Sequence, residues 1–297
     1  MQFFYIREII KVSFGNVIEW SGRVRTHLMY FSPTGTTQKV LKRIEQDFII
    51  HDLDYIMGEE INITPLEHRQ QSYAFNENEL LFLGLPVYAG RVPNILLKFL
   101  EGLEGNGAYC VPIVLYGNRN YDDALKELTL IAQARGFKVI AAAAFIGEHS
   151  FSYELAKGRP DASDLKIADE FAEQIMQKIK RLDKASLEID LDQVPGENPL
   201  RAYYRPKDRA GNFFDFRPIK PITLSTCVGC MICNDVCPTH AIDDEDSSLI
   251  RGMCIKCGAC VKGCPEGAKV FNDVNYLKHK KELEEDNAEP QAPFYIL

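Results

Sequence analysis

The chain has 297 residues, 46% of them hydrophobic and 26% charged, the proportions of an ordinary globular protein longer than one average domain. A formal net charge of −8 argues against nucleic acid or an anionic membrane surface as partner, since both are polyanions. No run approaches the ~20 apolar residues that span a bilayer. Arg7, Glu8, Lys11 and Glu19 interrupt the apolar N-terminus, so no secretion signal is expected either, and the expected location is the cytoplasm.

Residues 1–26 read as an N-terminal extension, either an added amphipathic helix or the product of a misassigned start codon. Residues 27–183 then alternate short apolar runs with longer amphipathic stretches. Strands are predicted at His27–Phe31, Glu60–Thr64, Glu79–Leu85, Tyr109–Tyr116 and Phe137–Phe145, and helices at Thr36–Phe48, Pro93–Leu103, Asp122–Gly136 and Ser163–Ile179. Runs as continuous as Leu80–Leu85 and Val111–Leu115 suit a parallel sheet buried on both faces. Strand–helix alternation predicts a doubly wound α/β domain of five parallel strands, for which 2-1-3-4-5 is one of the common orders and the one expected here. Residues 184–220 are rich in proline yet carry Tyr203, Tyr204, Phe213, Phe214 and Phe216, too many aromatics for a free linker. This connector is expected to turn a hairpin at Lys207–Asn212 and to pack on one of the domains. Residues 221–275 form a second, small α+β domain, and residues 276–297 a charged tail with a solvated face.

Eight of the nine cysteines lie between Cys227 and Cys264. The ninth, Cys110, sits in an apolar run and reads as an inert core thiol. Cys227, Cys230, Cys233 and Cys237 recur 27 residues later as Cys254, Cys257, Cys260 and Cys264, so one structural unit is duplicated. Each unit is C-x2-C-x2-C-x3-C-P, the spacing that holds paired [4Fe–4S] clusters, with three thiolates of one loop on one cubane and the fourth reaching the other. That rule gives Cys227, Cys230, Cys233 and Cys264 to one cluster and Cys237, Cys254, Cys257 and Cys260 to the other. Zinc is the competing reading, but zinc prefers paired C-x2-C knuckles that gather four donors on one ion.

The first strand runs into Ser32-Pro33-Thr34-Gly35-Thr36-Thr37 and then a helix. Free N–H groups at a helix start make an anion site. Without the Gly-Lys-Ser/Thr of a P-loop, four hydroxyls around Gly35 suit a phosphate monoester; a plain N-cap is the bland alternative. The third and fourth strands end in Pro86-Val87-Tyr88-Ala89-Gly90 and Gly117-Asn118-Arg119-Asn120-Tyr121, at the edge of the sheet where such folds bind ligands. Tyr88 or Tyr121 could stack on an isoalloxazine, or simply pack. Backbone at Ala89–Gly90 and Gly117–Asn118 could bond the ring edge.

With YFSPTGTT, LPVYAGRVP, YGNRNYDDAL and AFIGEHSFS ahead of the cysteine run, the chain resembles single-chain flavodoxin–ferredoxin fusion proteins of anaerobes over residues 27–270. That resemblance implies a flavodoxin-like FMN domain with a two-cluster ferredoxin domain. It implies that Ser32, Thr34, Gly35, Thr36 and Thr37 hold the FMN phosphate. It places Pro86, Val87, Tyr88, Ala89, Gly90, Gly117, Asn118, Arg119 and Tyr121 against the ring. His149, after the fifth strand, would lie near the flavin or, equally, be a loop histidine bonded to backbone. The expected function is relay of low-potential electrons between clusters and FMN, to or from a redox partner protein. The alternative is an FMN-dependent reductase of a small oxidised substrate such as a quinone, nitro compound or ferric chelate; a regulatory cysteine module is a weaker third. No G-x-G-x-x-G, HExxH or G-x-S-x-G motif is present, which leans toward the carrier. Asp243–Asp246 could steer a basic partner or be an ordinary polar loop. The sequence leaves the oligomeric state open, a homodimer being one option.

Overall fold

The computed structural model describes residues 24–51, 56–180 and 187–297. The expected N-terminal extension therefore lies outside the described residues, save for its last three. Strand β1 (Arg25–Tyr30) pairs in parallel with β2 (Ile56–Asn62) and β3 (Glu79–Pro86). β3 pairs with β4 (Tyr109–Tyr116), which pairs with β5 (Lys138–Val139) and β6 (Ala142–Ile146), all parallel. The parallel order β2-β1-β3-β4-β6 is the doubly wound arrangement expected from the sequence.

Side-chain alternation along each buried strand feeds two core layers. Leu28, Phe82 and Ile113 pack on one face beneath α1 (Thr36–His51) and α4 (Ala162–Lys180), through Leu41, Ile44, Phe171 and Ile175. Met29, Leu83 and Val114 pack on the other beneath α3 (Ala124–Ala134), through Leu125 and Leu128. Cys110 is buried in that second layer, and burial pushes its thiol up. The helix expected at Pro93–Leu103 shrinks to a 3-10 turn, Asn94–Leu96, and one α-turn, α2 (Leu97–Leu100). The strand expected at Phe137–Phe145 is split opposite Pro112 of β4, which has no N–H to give Ile140 O, so that oxygen accepts from Lys178 Nζ at 2.7 Å instead.

Residues 187–221 form a strap that starts beside Val139, follows α3 and reaches the carboxyl ends of the strands around Tyr203 and Tyr204. Arg201 pairs with the buried Asp123, the Tyr203 hydroxyl donates to Val92 O at 2.8 Å, and Tyr204 N–H donates to Ala89 O at 2.8 Å. The expected hairpin is present as a bridge between Lys207 and Phe213. It packs against the segment after the cysteine region, where Asp208 pairs with Lys278 and Arg209 with Glu285 and Asp286.

The cysteine region is duplicated in three dimensions as well as in sequence. Helix α5 (Ile232–Asp235) and α6 (Ala259–Lys262) stand 27 residues apart. At the same offset, Gly229 and Lys256, Met231 and Gly258, and His240 and Gly267 are left-handed pairs. β7 (Ile222–Thr223) pairs antiparallel with β8 (Lys269–Val270), and the bridge Ile242–Ile250 repeats that pairing within the first unit. Asp243–Asp246 is the turn of that bridge, with Asp243 accepting from Glu245 N–H and Asp246 N–H at 3.1 and 3.0 Å and paired with Arg251.

Helix α7 (Val274–Asp286) follows, N-capped by Asp273, whose carboxylate accepts from Asn275 N–H at 2.9 Å and Tyr276 N–H at 3.0 Å. The tail after it does not present a purely solvated face. Asn118 clamps it, donating to Asn287 O and Glu289 O and accepting from Gln291 N–H. β9 (Phe294–Ile296) then adds antiparallel to β6 as an edge strand of the first domain's sheet.

Candidate functional site

Helix α1 begins at Thr36, immediately after the 32–35 turn, and has no acidic side chain in its first turn to meet its positive end. Ser32 Oγ accepts from Gln38 N–H at 3.1 Å, and Ser32 N–H is held by Thr64 Oγ1 at 2.8 Å. Thr37 Oγ1 is buried without a hydrogen-bond partner. A buried hydroxyl left unpaired costs ~1–3 kcal/mol, so its place here calls for a ligand atom. Ser32, Thr34, Thr36 and Thr37 wall one cavity together with Pro86, Val87, Tyr88, Gly117 and His149. The hydroxyls, the free helix end and the orphaned Thr37 fit a bound phosphate monoester.

That cavity continues into a chamber of about 270 Å3 between the two strand-end loops. Val87, Tyr88, Ala89, Gly90, Gly117, Arg119 and His149 line its first-domain side. Ala89 and Gly90 are both left-handed, making a tight turn closed by mutual backbone bonds between Tyr88 and Arg91 at 3.0 and 3.1 Å. Gly117 is needed because a Cβ there would sit 2.4 Å from the His149 ring. His149 Nδ1 accepts from Phe151 N–H at 3.1 Å. Burial, followed by the charges of Lys262 and Arg119 and by His279, pushes the His149 imidazole down to about 3. The ring is therefore neutral, with its proton on Nε2, and can only donate from that atom.

The expected loop residues do not all face this space. Gly35 shapes the phosphate turn at φ +81° without lining the cavity. Asn118 is buried and spends its amide on the tail. Tyr121 packs edge-on against Tyr116 at 5.3 Å and stacks on Phe294 at 6.4 Å. The sequence left out the far wall of the chamber: Tyr204, Pro206 and Phe216 of the strap, Ile255 and Lys256 of the second cysteine unit, and His279 and Leu283 of α7. The aromatic strap was the one available signal for these.

In the second domain a cavity is walled by Cys237, Cys254, Cys257 and Cys260, the crossed set predicted from spacing. Backbone N–H groups point at sulfur at matching positions of the repeat, Ala241 to Cys237 at 3.3 Å and Ala268 to Cys264 at 3.2 Å. Burial pushes the Cys257 and Cys260 thiols up to about 12. Bare thiolates would be disfavoured there, and iron cations would reverse that preference. In the first loop Cys227 accepts from Gly229 N–H at 3.5 Å and lies 3.6 Å from Ser247 Oγ.

The two cavities meet. Cys257 lines the cysteine cavity and also the cavity of the phosphate turn. Burial raises the Tyr88 phenol well above its ordinary value, and the adjacent Cys257 adds to this. Gly258 makes the contact possible: a Cβ on it would stand 2.6 Å from Ser150 O. Around this point Lys262 pairs with Glu148 and donates to Ser152 O at 2.7 Å, Arg69 donates to Pro238 O, and His240 lies 3.2 Å from Glu67. Glu148 is held below its usual range: burial opposes this, but the Gly158 N–H and the Lys262 ammonium outweigh it.

A 4Fe-4S dicluster domain family matches residues 226–269. Over 58 residues, 19% of the chain, the sequence is 38% identical to an uncharacterized ferredoxin of Methanocaldococcus jannaschii, and it spans 34% of that relative's length. Similar solved structures include a flavodoxin from the domain Archaea, at 14% identity over 53% of this chain and all of that one, TM-score 0.38. They also include flavodoxin 2 from Bacillus cereus (17%; 52% of this chain, 99% of that one; TM-score 0.37) and a Fusobacterium nucleatum flavodoxin bound to flavin mononucleotide (16%; 52% and 98%; TM-score 0.34). Among the described residues no helix is long and apolar enough to cross a membrane. The chain thus joins a doubly wound α/β domain of parallel strand order β2-β1-β3-β4-β6 to a 4Fe-4S dicluster domain.

Proposed function

We propose that the chain relays low-potential electrons between two [4Fe–4S] clusters and an FMN, exchanging them with an external redox partner. Clusters supply one-electron steps and a flavin accepts one or two. In this reading Cys237, Cys254, Cys257 and Cys260 hold the inner cluster, and Cys227, Cys230, Cys233 and Cys264 the outer one. Ser32, Thr34, Thr36 and Thr37 hold the FMN phosphate, with Gly35 shaping their turn. The turn Tyr88–Gly90, Gly117 and His149 face the ring, and His149 offers it an Nε2–H donor.

The observation that carries the reading is Cys257, one side chain in the walls of both cavities. A thiolate ligand that borders the flavin space brings donor and acceptor together without a diffusional encounter. The test is anaerobic: reconstitute the protein, reduce the clusters, and follow flavin absorbance. Flavin reduction independent of protein concentration supports the relay; flavin that stays oxidised refutes it.

A second reading, reduction of a small oxidised molecule, is favoured by the chamber's far wall. The strap and α7 roof the ring space, leaving no flat face there for a protein partner but room for a small one. A steady-state screen of quinones, nitro compounds and ferric chelates decides between them. Rapid turnover with one class favours the reductase, and uniformly slow turnover the carrier.

A further inference from the structure

The duplication supplies an internal control for one residue. Position 229 of the first unit is glycine at φ +71°, and its twin 27 residues on is Lys256 at φ +56°. Left-handed backbone favours glycine because a Cβ crowds the following carbonyl. A lysine there accepts strain that its twin avoids, as Met231 and His240 do opposite Gly258 and Gly267, and what distinguishes Lys256 is where its charge lies. Lys256 is half-buried in the wall between the cavity of Cys237, Cys254, Cys257 and Cys260 and the chamber beside Tyr88 and Gly117. Its ammonium donates to Cys254 O at 3.0 Å and to Arg217 O of the strap at 3.3 Å.

Two neighbouring cations, Lys269 and Lys220, donate to the carbonyl oxygens of Ser247 and Ile250, while other nearby charges are paired. Lys262 is paired with Glu148, Arg119 with Asp122, and Asp215 with Arg217. Among the described residues Lys256 forms no ion pair with a carboxylate, so its positive charge acts on whatever occupies the two cavities. A cation beside an electron carrier favours the form with the extra electron, and cluster potentials follow nearby charge and hydrogen bonding.

We propose that Lys256 is an electrostatic positioning residue that holds electrons on the inner cluster and the flavin in preference to the outer cluster. This rests on the relay reading for the flavin, whereas its effect on the inner cluster does not. It makes the duplicated, nearly symmetric pair of clusters unequal, with the lower-energy seat next to the flavin.

The test is spectroelectrochemical titration of the full-length, anaerobically reconstituted protein, with electron paramagnetic resonance to separate the clusters. Lys256→Gly restores the residue of the twin loop and relieves the backbone. Lys256→Gln keeps a hydrogen-bond donor without charge, and Lys256→Arg keeps the charge. The expected result is that Gly and Gln both disfavour the reduced inner cluster about tenfold, ~59 mV per electron. Arg should restore it, the outer cluster should be unmoved, and iron and sulfide content should be unchanged. A Gln variant with the parental potential, or equal shifts of both clusters, overturns the proposal. If the protein binds no flavin the relay fails, yet the inner-cluster potential still decides the role of Lys256.

Discussion

Alanine in place of Gly258 tests whether the domain junction is as tight as described. Its Cβ would stand 2.6 Å from Ser150 O, inside the 3.0 Å that real Cβ contacts respect, and the obstacle is backbone that cannot swing aside. The loop carrying Cys257 would have to retreat from the first domain by at least about 0.4 Å. Two costs combine. A left-handed alanine at φ +77° loses ~1–2 kcal/mol, and overpacking at a rigid contact adds ~1–3 kcal/mol. Gly229→Ala is the matched control: it is also left-handed, at φ +71°, but with nothing within 4 Å of the added carbon. It should show the first cost alone. Denaturant unfolding followed by cluster absorbance should therefore place Gly258→Ala ~1–3 kcal/mol below Gly229→Ala. Stopped-flow reduction should show slower flavin reduction only in Gly258→Ala. Equal stabilities together with equal flavin kinetics would refute the argument, because the junction would then not pass through this glycine.

Thr37→Val should move two quantities in opposite directions. It removes an unpaired buried hydroxyl, leaving the apoprotein as stable or more so by melting temperature, while FMN affinity by titration falls about 10- to 100-fold, the worth of a bond to a charged group (~1.5–3 kcal/mol). Cys237→Ala, although it lies in the first unit, should abolish the inner cluster, whose cavity it lines; iron analysis would show about half the metal lost and resonance spectra would retain the outer cluster. Asp123 is held down to about 2, chiefly by the Arg201 side chain, with burial opposing and the Glu197 and Arg201 N–H groups assisting. A depressed carboxylate stabilises above its unfolded value of 3.8 and loses that contribution as pH falls through about 2. Peptic cleavage within residues 197–217 should therefore rise between pH 3.8 and 2, and Asp123→Ala should show the same susceptibility already above pH 4.

What could be read from the sequence follows from how local each cause is. β4 matches its prediction at both ends because all eight of its residues are buried, so the apolar run itself marks the strand. The cysteine spacing encodes its chemistry for the same reason, since a tight loop fixes which sulfurs converge. The break after Val139 is not marked in its own run, where Ile140 and Ala141 are as apolar as their flanks; it comes from Pro112 on the neighbouring strand, which cannot donate to Ile140 O, and Lys178 of α4 bonds that oxygen instead. Asn118 and Tyr121 sit on the expected loop, but their side chains turn toward Glu289 and Phe294, about 170 residues away in sequence. The edge strand Phe294–Ile296 had two prolines and an acidic run before it and only three residues of its own. Its existence depends on the open edge of Ala142–Ala144, where alanine side chains leave room for Tyr295 to reach Phe171 at 5.1 Å.

Duplication alone would give two equivalent cluster loops, and docking makes them different. Cys230 and Cys257 occupy the same place in the repeat, yet Cys230 is exposed and Cys257 is 8% exposed, buried against the first domain. Val228, beside Cys230, is 67% exposed, while its twin Ile255 lines the chamber. One loop thus faces solvent and the other faces the flavin space. The second domain cannot readily exchange these roles, because it is tethered to the first at both ends. The strap leads in across Asp123 and Val92, and α7 leads back through Asn118 to an edge strand of the same sheet. A chain that crosses from the sheet and returns to it fixes which half of a symmetric unit is inner and which is outer. In the proposed relay that topology would set the order of the carriers, the exposed loop being open to an external partner and the buried loop lying against the proposed flavin space.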